Sequence, residues 1–351
     1  MDMVRISVKS GFPPLGCLAD FRRFLTEFPS IALLQSVPLP SAVHEILPLA
    51  QRIDDLVGER LMDFRLGCAI WAYKEWVGTL FPPGSRSNEF LRLYSRRFTT
   101  VEGNTTFYFI PDAATVQRWA TETSADFQFC LKLPRDLTHQ GLLTAAIPGT
   151  IAFLKRMEPL GQRLGPMFAQ LPPSYSPSRL EDLTAFLTAF PRRQRSLALE
   201  VRHPDWFKEP HASQLNALLS DLGVGRVLLD TRPIYDCPDD PQVRSERRKP
   251  QVPLQPVVTA PFTLIRYISH PDRDFNLPYL TAWTERLHEW LSKGTQVYFF
   301  IHCPAEVHSP QNARLFQQLL EQQGVPVPPL PWDQINLNES APPQSTQLEL
   351  F

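Results

Sequence analysis

Six ionisable residues stand at or near the ends of apolar stretches: Glu102, Lys132, Glu200, Asp230, Arg266 and His302. Carboxylate, ammonium, guanidinium and imidazole groups gathered in one place can move protons and hold anions. Glu102 and Lys132 close neighbouring stretches, so they offer either an acid/base pair with shifted pKa values or a structural ion pair that neutralises two inward charges. Glu200 and Asp230 repeat that arrangement. With His302 they supply two oxygens and a nitrogen for a divalent metal, whereas Arg202, Arg232 and Arg266 would satisfy the same carboxylates without one. No His-x-His, His-Glu-x-x-His or paired-Asp spacing speaks for the metal.

Arg202, His203, Arg232 and Arg266 make the most cationic group of candidates, and guanidinium forks suit phosphate or carboxylate. A small anionic ligand is the expected consequence; the competing reading pairs these arginines with Glu200 and Asp230. Trp71, Tyr73, Trp76, Phe107, Tyr108 and Trp206 provide aromatic surface that either stacks a base or sugar or packs the core. Asn104, with Thr105 and Thr106, is placed to orient a ligand or to cap a loop. His139 is a candidate proton carrier. Glycine-rich phosphate loops are absent from the sequence, which argues against nucleoside triphosphate chemistry.

The elements that must position these groups follow a repeat. Apolar stretches read Arg65–Ile70, Phe98–Glu102, Phe127–Lys132, Gly165–Gln170, Ser196–Glu200, Arg226–Asp230, Phe262–Arg266 and Gln296–His302, their ends 30 to 38 residues apart. Helical stripes lie between most of them: Val116, Trp119 and Ala120 after an Asp112 cap; Leu180, Leu183, Leu187 and Phe190; Leu215, Leu218, Leu219 and Leu222; Leu280, Trp283, Leu287, Trp290 and Leu291 before Gly294. Strand-then-helix repeated eight times is the pattern of a TIM (β/α)8 barrel in the α/β class, whose C-terminal strand ends carry the active site. The last helix is expected to open on a Ser309 cap followed by Pro310 and to close at Gly324. Residues 232–261 hold seven prolines and little apolar period, so a long irregular loop is expected after the sixth strand, over the same face.

Three segments result: an N-terminal extension over residues 1–64 with helical pieces at Asp20–Phe28 and Ser41–Asp63, a barrel over residues 65–324, and a Pro-, Gln- and Ser-rich disordered tail over residues 325–351. The formal charge of −1 gives no global field that would attract nucleic acid or an anionic membrane, so any polyanion contact must be local. The sequence has no apolar run of membrane-spanning length, and its first residues lack a basic region followed by a long apolar core, so no secretory leader is expected. Its five cysteines are scattered, without a Cys-x-x-Cys pair, and a soluble cytoplasmic protein is expected.

Several strings occur in order: Gly67-Cys-Ala-Ile-Trp-Ala-Tyr73 with Trp76 and Phe81-Pro82, Val101-Glu-Gly-Asn-Thr-Thr-Phe-Tyr108, Phe129-Cys-Leu-Lys-Leu-Pro-Arg135 with Thr138-His139, Gln170-Leu-Pro-Pro173, Leu199-Glu-Val-Arg-His203 with Trp206, and Asp230-Thr-Arg232. Together they resemble the family called domain of unknown function 72, or YecE-like. The resemblance implies a TIM-type barrel and names no reaction. Ala69-Ile70 and Phe300-Ile-His-Cys303 depart from the family's usual Ser-Gly and Phe-Asn-Asn at the mouth.

The chain ends Gln347-Leu-Glu-Leu-Phe351, which resembles the pentapeptide by which bacterial replication and repair proteins dock on the sliding clamp. Physically, Gln347 would bond the rim of a pocket while Leu348, Leu350 and Phe351 fill it. The same residues would serve equally as a latch folded back on the barrel. The expectation is an enzyme of hydrolase or lyase type acting on a phosphate- or sugar-bearing anion through Glu102, Lys132, Glu200 and Asp230. The alternatives are a replication- or repair-associated factor or nuclease recruited by the clamp, and a non-catalytic ligand-binding barrel.

Overall fold

The computed structural model describes residues 64–192, 195–243, 245 and 248–334. The expected helical extension over residues 1–63 and the peptide Gln347, Leu348, Leu350 and Phe351 lie outside the described residues. Eight strands run β1 Phe64–Cys68, β2 Thr100–Gly103, β3 Gln128–Leu131, β4 Met167–Gln170, β5 Leu197–Glu200, β6 Gly225–Asp230, β7 Phe262–Ile268 and β8 Gln296–His302. They fall within a few residues of the apolar stretches that predict them. Between them lie α1 Phe90–Tyr94, α2 Thr105–Tyr108, α3 Ala113–Glu122, α4 Arg135–Thr138, α5 Ile147–Met157, α6 Leu180–Ala189, α7 His211–Leu222, α8 Arg232–Tyr235 and α9 Leu277–Ser292, with α10 Ser309–Gln322 after the last strand.

All the strand pairs are parallel, as short strands joined by helical crossovers require. Hydrogen bonding orders six of them β1-β8-β7-β6-β5-β4 and the other two β2-β3. The expected ring of eight is therefore not closed by a continuous ladder. β3 meets β4 through the single bridges Phe129↔Leu164 and Lys132↔Phe168. β1 meets β2 side by side, where Thr99 N donates to Leu66 O at 3.3 Å and a side chain at Gly67 would fall 1.9 Å from Thr100 O. Only glycine permits that approach. The gaps fall between β1 and β2 and between β3 and β4, whereas the equally short β2–β3 and β4–β5 pairs form ladders of four residues.

Strand alternation sorts the side chains into two sets. Cys130, Phe168, Ala198, Val227, Leu264, Tyr298 and Phe300 make a dry inner cluster. Outward residues join the helices in a larger core, where Trp119 of α3, Leu187 of α6, Leu219 of α7, Trp283 of α9 and Phe316 of α10 are buried. Asp112 caps α3 as its sequence predicts, accepting from Thr115 N at 2.7 Å, and Gly223 ends α7 in the left-handed conformation that favours glycine.

Two boundaries move. Ser309 does not cap α10 from outside; it is the first helical residue, and its hydroxyl donates to Glu306 at 2.7 Å. The packed chain also continues past Gly324, the expected end of the barrel: Val325 and Val327 are buried, Gln317 donates to Pro328 O at 2.9 Å, and Trp332 meets Phe98 edge-on. These apolar residues override the local proline content because a surface formed by α10 and the loop before β2 receives them. After α8, residues 236–261 carry no further helix among the described residues, as the prolines predict. No helix of the described residues is long and apolar enough to cross a membrane.

Candidate functional site

One residue beyond the dry cluster on each inward row, polar groups replace apolar ones. Cys130 is followed by Lys132, Phe168 by Gln170, Ala198 by Glu200, Leu264 by Arg266 and Phe300 by His302, each two positions on and so on the same face. Lys132, Gln170, Arg266 and His302 line a cavity of about 390 Å3 at the C-terminal strand ends, and Glu200 is bonded to Arg266 of that lining.

Arg266 is its centre. Nε donates to Glu102 Oε2 at 2.9 Å, Nη2 to Glu102 Oε1 at 2.8 Å and Nη1 to Glu200 Oε2 at 2.6 Å. Against the burial that would strip its proton, the two carboxylates hold Arg266 charged. Glu102 also accepts from Asn104 Nδ2 at 2.6 Å and from His302 Nε2 at 2.8 Å. All four of its acceptor positions are filled. Burial favours the protonated carboxyl, but Arg266 and His302 outweigh it and hold Glu102 well below the ordinary carboxylate range. Burial likewise pushes His302 down to about 4, so a neutral imidazole donates to Glu102.

Glu200 is less enclosed by partners. It accepts from Arg266 and from Arg202 Nε at 2.7 Å, leaving part of its acceptor capacity open. Burial opposes its charge, yet Arg266, Arg202 and Lys132 hold it at about 2. Gln170 Oε1 then joins two cations, accepting from Lys132 Nζ at 2.7 Å and from Arg202 Nη2 at 2.5 Å.

Lys132 does not pair with Glu102, contrary to the pairing expected from neighbouring strand ends. Its ammonium lies 3.7 Å from the centre of the Phe107 ring. Burial, joined by repulsion from Arg266, pushes it down to about 7 despite Glu200. Local structure fixes both partners: Thr106 of α2 sets its hydroxyl 2.6 Å from Lys132 O, so the short helix carrying Phe107 is tied to the strand end carrying the lysine. His139 lies against the same ring, its Nδ1 2.9 Å from Thr138 Oγ1, and burial followed by Lys132 pushes it down to about 4.

The other candidates divide. Asn104, Tyr108, His139, Arg202, Arg266 and His302 line the cavity, Tyr108 at its exposed rim. Trp71 packs between Trp119 and Phe129, and Tyr73 against Trp76. His203 accepts from Asp205 N at 3.2 Å and starts a turn outside the cavity. Asp230 is turned away: it receives Arg232 at 2.9 and 2.8 Å and Trp283 Nε1 at 2.8 Å, on the helix side of β6. Leu229 takes the inward position, in register with Arg266. The structure therefore separates Asp230 and Arg232 from the other charged candidates. Glu200, Asp230 and His302 consequently do not converge as metal ligands.

Groups the sequence reading passed over complete the wall. Gln170 ends its strand like the charged residues but carries no titratable group. Arg135 opens the four-residue α4, Glu306 opens a 3-10 turn, and Arg248 and Lys249 lie in the loop after α8, all too short or irregular to show a period. Burial pushes Lys249 down and Glu306 up, each drawn back in part by the other. Among the described residues, six lysine and arginine side chains line the cavity against one glutamate, Glu306; Glu102 and Glu200 pair with Arg266 of that lining.

Two other places group polar side chains. A cavity of about 470 Å3 opens at the opposite strand ends, where the Tyr298 hydroxyl donates to Gln128 Oε1 at 2.6 Å and Gln128 Nε2 donates to Gln162 O at 3.3 Å. Cys237, Asp239 and His270 bring three ligand atoms within 4.8 Å of one another. There His270 Nδ1 accepts from Asp272 N at 3.0 Å, which leaves the proton on Nε2 facing Asp239. A metal on Nε2 would need the opposite tautomer, so these residues do not fit one.

These features define an α/β protein of parallel strands whose C-terminal ends enclose a buried, cation-rich cavity. Residues 65–335 match the family model described as Protein of unknown function DUF72. UPF0759 protein YecE of Escherichia coli (strain K12) is 36% identical over 249 residues, which cover 70% of this chain and 88% of that protein. The chain belongs to the DUF72 family. A DUF72 family crystal structure from Thermotoga maritima superposes with a TM-score of 0.57 at 22% identity, covering 74% of this chain and 99% of the other. One from Enterococcus faecalis gives 0.57 at 18%, covering 74% and 95%. These two likenesses show a shared fold.

Proposed function

We propose that the eight strands act as a (β/α)8 barrel with an interrupted ladder, and that its mouth binds a small anion and performs acid/base chemistry of lyase or hydrolase type on it. The observation that carries this reading is the charge balance of the cavity: among the described residues its lining sets six cations against the one carboxylate of Glu306. Arg266, Arg202 and Arg248 pair with Glu102, Glu200 and Asp240, while Lys132, Arg135 and Lys249 have no carboxylate within 4.0 Å among the described residues. A carboxylate or phosphate is the natural counter-charge. Lys132 is the proton-carrying group, since a value of about 7 lets it give and take a proton near neutrality. Glu102, with every acceptor position filled, anchors Arg266, and Glu200 orients Arg202.

The test is a thermal-shift and calorimetric series with inorganic phosphate, phosphate monoesters and small carboxylates. Binding is expected for some of these, and to be lost in Arg202→Ala and weakened in Lys132→Gln. A protein whose melting temperature responds to none of them, or equally in both variants, would sink the reading.

A second reading concerns a partner. Leu348, Leu350 and Phe351 are large apolar residues at the end of a Pro-, Gln- and Ser-rich stretch, the composition of a tethered docking peptide, which favours the sliding clamp as its target.

A further inference from the structure

We propose that Lys132 forms a Schiff base with the carbonyl group of a small anionic aldehyde or ketone, an inference that rests on the cavity being an anion site. Three observations meet at this one nitrogen. Lys132 is 6% exposed, at the inward end of β3, yet no carboxylate oxygen among the described residues comes within 4.0 Å of it. Among the described residues its one side-chain hydrogen bond goes to a neutral amide oxygen, Gln170 Oε1, at 2.7 Å. Its remaining close neighbour is the face of Phe107.

A neutral amine has two N–H bonds and one lone pair. Gln170 receives one N–H and the electron-rich face of Phe107 the other, which leaves the lone pair directed at the cavity. Desolvation beside another cation is the environment in which a lysine becomes a nucleophile at neutral pH. Lys249 lines the same cavity but is only half-buried, and Glu306 partly offsets the burial that pushes it down.

The ligand class follows from Arg202. Its Nη2 touches the same Gln170 oxygen as Lys132, so a guanidinium is fixed next to the amine. An anionic group held there sets the attacked carbonyl only a few bonds away. That geometry describes 2-oxo acids and short phosphorylated aldehydes or ketones.

The step balances without any redox partner. The Nζ lone pair bonds to the carbonyl carbon, and the carbonyl π pair moves to oxygen, which takes a proton from the attacking nitrogen. The hydroxyl then leaves as water with a second proton, for which Glu306 in the same cavity is the candidate acid. The nitrogen shares its pair to give the carbon–nitrogen double bond. Amine, carbonyl and one proton become iminium and water.

Borohydride trapping tests this on the full chain. The protein is incubated at neutral pH with pyruvate, glyoxylate or dihydroxyacetone phosphate, reduced with sodium borohydride, and mapped by peptide mass spectrometry. The expected result is one adduct, of the mass of the carbonyl compound less one oxygen, on the peptide containing Lys132. It should vanish in Lys132→Arg and persist in Lys293→Gln, which alters an exposed lysine outside the cavity. Mapping on the unaltered protein keeps the test valid should Lys132→Arg fold poorly. Adducts spread over exposed lysines such as Lys74, or located on Lys249, overturn the proposal. If no adduct forms while lactate or inorganic phosphate still raises the melting temperature, the Schiff base is refuted and the anion site stands. If neither binds, the anion site falls as well.

Discussion

Arg266 grips Glu102 as a two-pronged fork, with Nε and Nη2 at 2.9 and 2.8 Å from the two carboxylate oxygens, across 164 residues of sequence. The remaining nitrogen holds Glu200, so one guanidinium neutralises two buried carboxylates. Arg266→Ala leaves both without their main counter-charge. A loss of about 3–5 kcal/mol is expected from removing one partner of a buried pair. Urea unfolding of the variant checks this. Arg266→Lys should recover little, because an ammonium cannot reproduce the fork. A variant as stable as the parent would show that the carboxylates are not charged in the fold.

Asp230 should behave differently from Glu200 although both end neighbouring strands. Asp230→Ala removes the acceptor of Arg232 and of the buried Trp283 indole. Destabilisation of about 3 kcal/mol is expected, since Asp230 is completely buried. Phosphate affinity of the folded variant should equal that of the parent. A selective loss of affinity with unchanged unfolding would place Asp230 at the ligand after all.

Lys132 makes stability depend on pH in a direction opposite to that of an ordinary ion pair. Its value is about 7 in the fold against 10.5 for a free lysine. Below about 7 both states carry the proton, and the fold bears the full penalty of a buried charge. Between about 7 and 10.5 the unfolded chain binds more protons, so this group's contribution to stability rises with pH. The groups that set this balance are Arg266, Glu200, Arg202 and Glu102 on the strand ends, with His139 on the far side of Phe107. Lys132→Met should therefore melt higher than the parent at pH 6, by roughly 2–4 °C for each kcal/mol relieved. The advantage should shrink steadily toward pH 10. An advantage that stays constant with pH would mean that the charge is not what burial penalises.

For the chain end, a synthetic peptide of about the last dozen residues should bind a bacterial sliding clamp with micromolar affinity, about −8 kcal/mol. Deleting Leu350 and Phe351 should abolish binding, because two apolar anchors carry most of so small an interface. The deleted protein should keep its melting temperature. Unfolding of that protein, with no peptide binding, would identify the segment as a latch on its own domain.

Much of this fold can be read from local pattern. Apolar runs of strand length, helical stripes such as Leu280, Trp283, Leu287, Trp290 and Leu291, and the proline-rich stretch after β6 all lie in the structure where they are expected. The site is only partly legible, because a side chain's direction depends on parity within its strand. Asp230 and Glu200 look alike in sequence, but one position separates Leu229, which faces the cavity, from Asp230, which faces α9. A one-residue difference in where a strand begins to count reverses every direction along it. Lys249 sits in a loop and Glu306 in a three-residue 3-10 turn, where no period exists to be read.

The sequence by itself determined that charged and amide groups end the strands, because the apolar period of each strand is short and stops at a polar residue. It also determined that cations would gather with carboxylates near those ends. Only the tertiary structure decided the pairing: Glu102 with Arg266, His302 and Asn104, Glu200 with Arg202, and Lys132 with an amide oxygen and an aromatic face in place of a carboxylate. The partners of Arg266 lie 66 and 164 residues away along the chain. Ion pairing acts through space over a few ångströms, so it is set by which strands come together and which way their residues face.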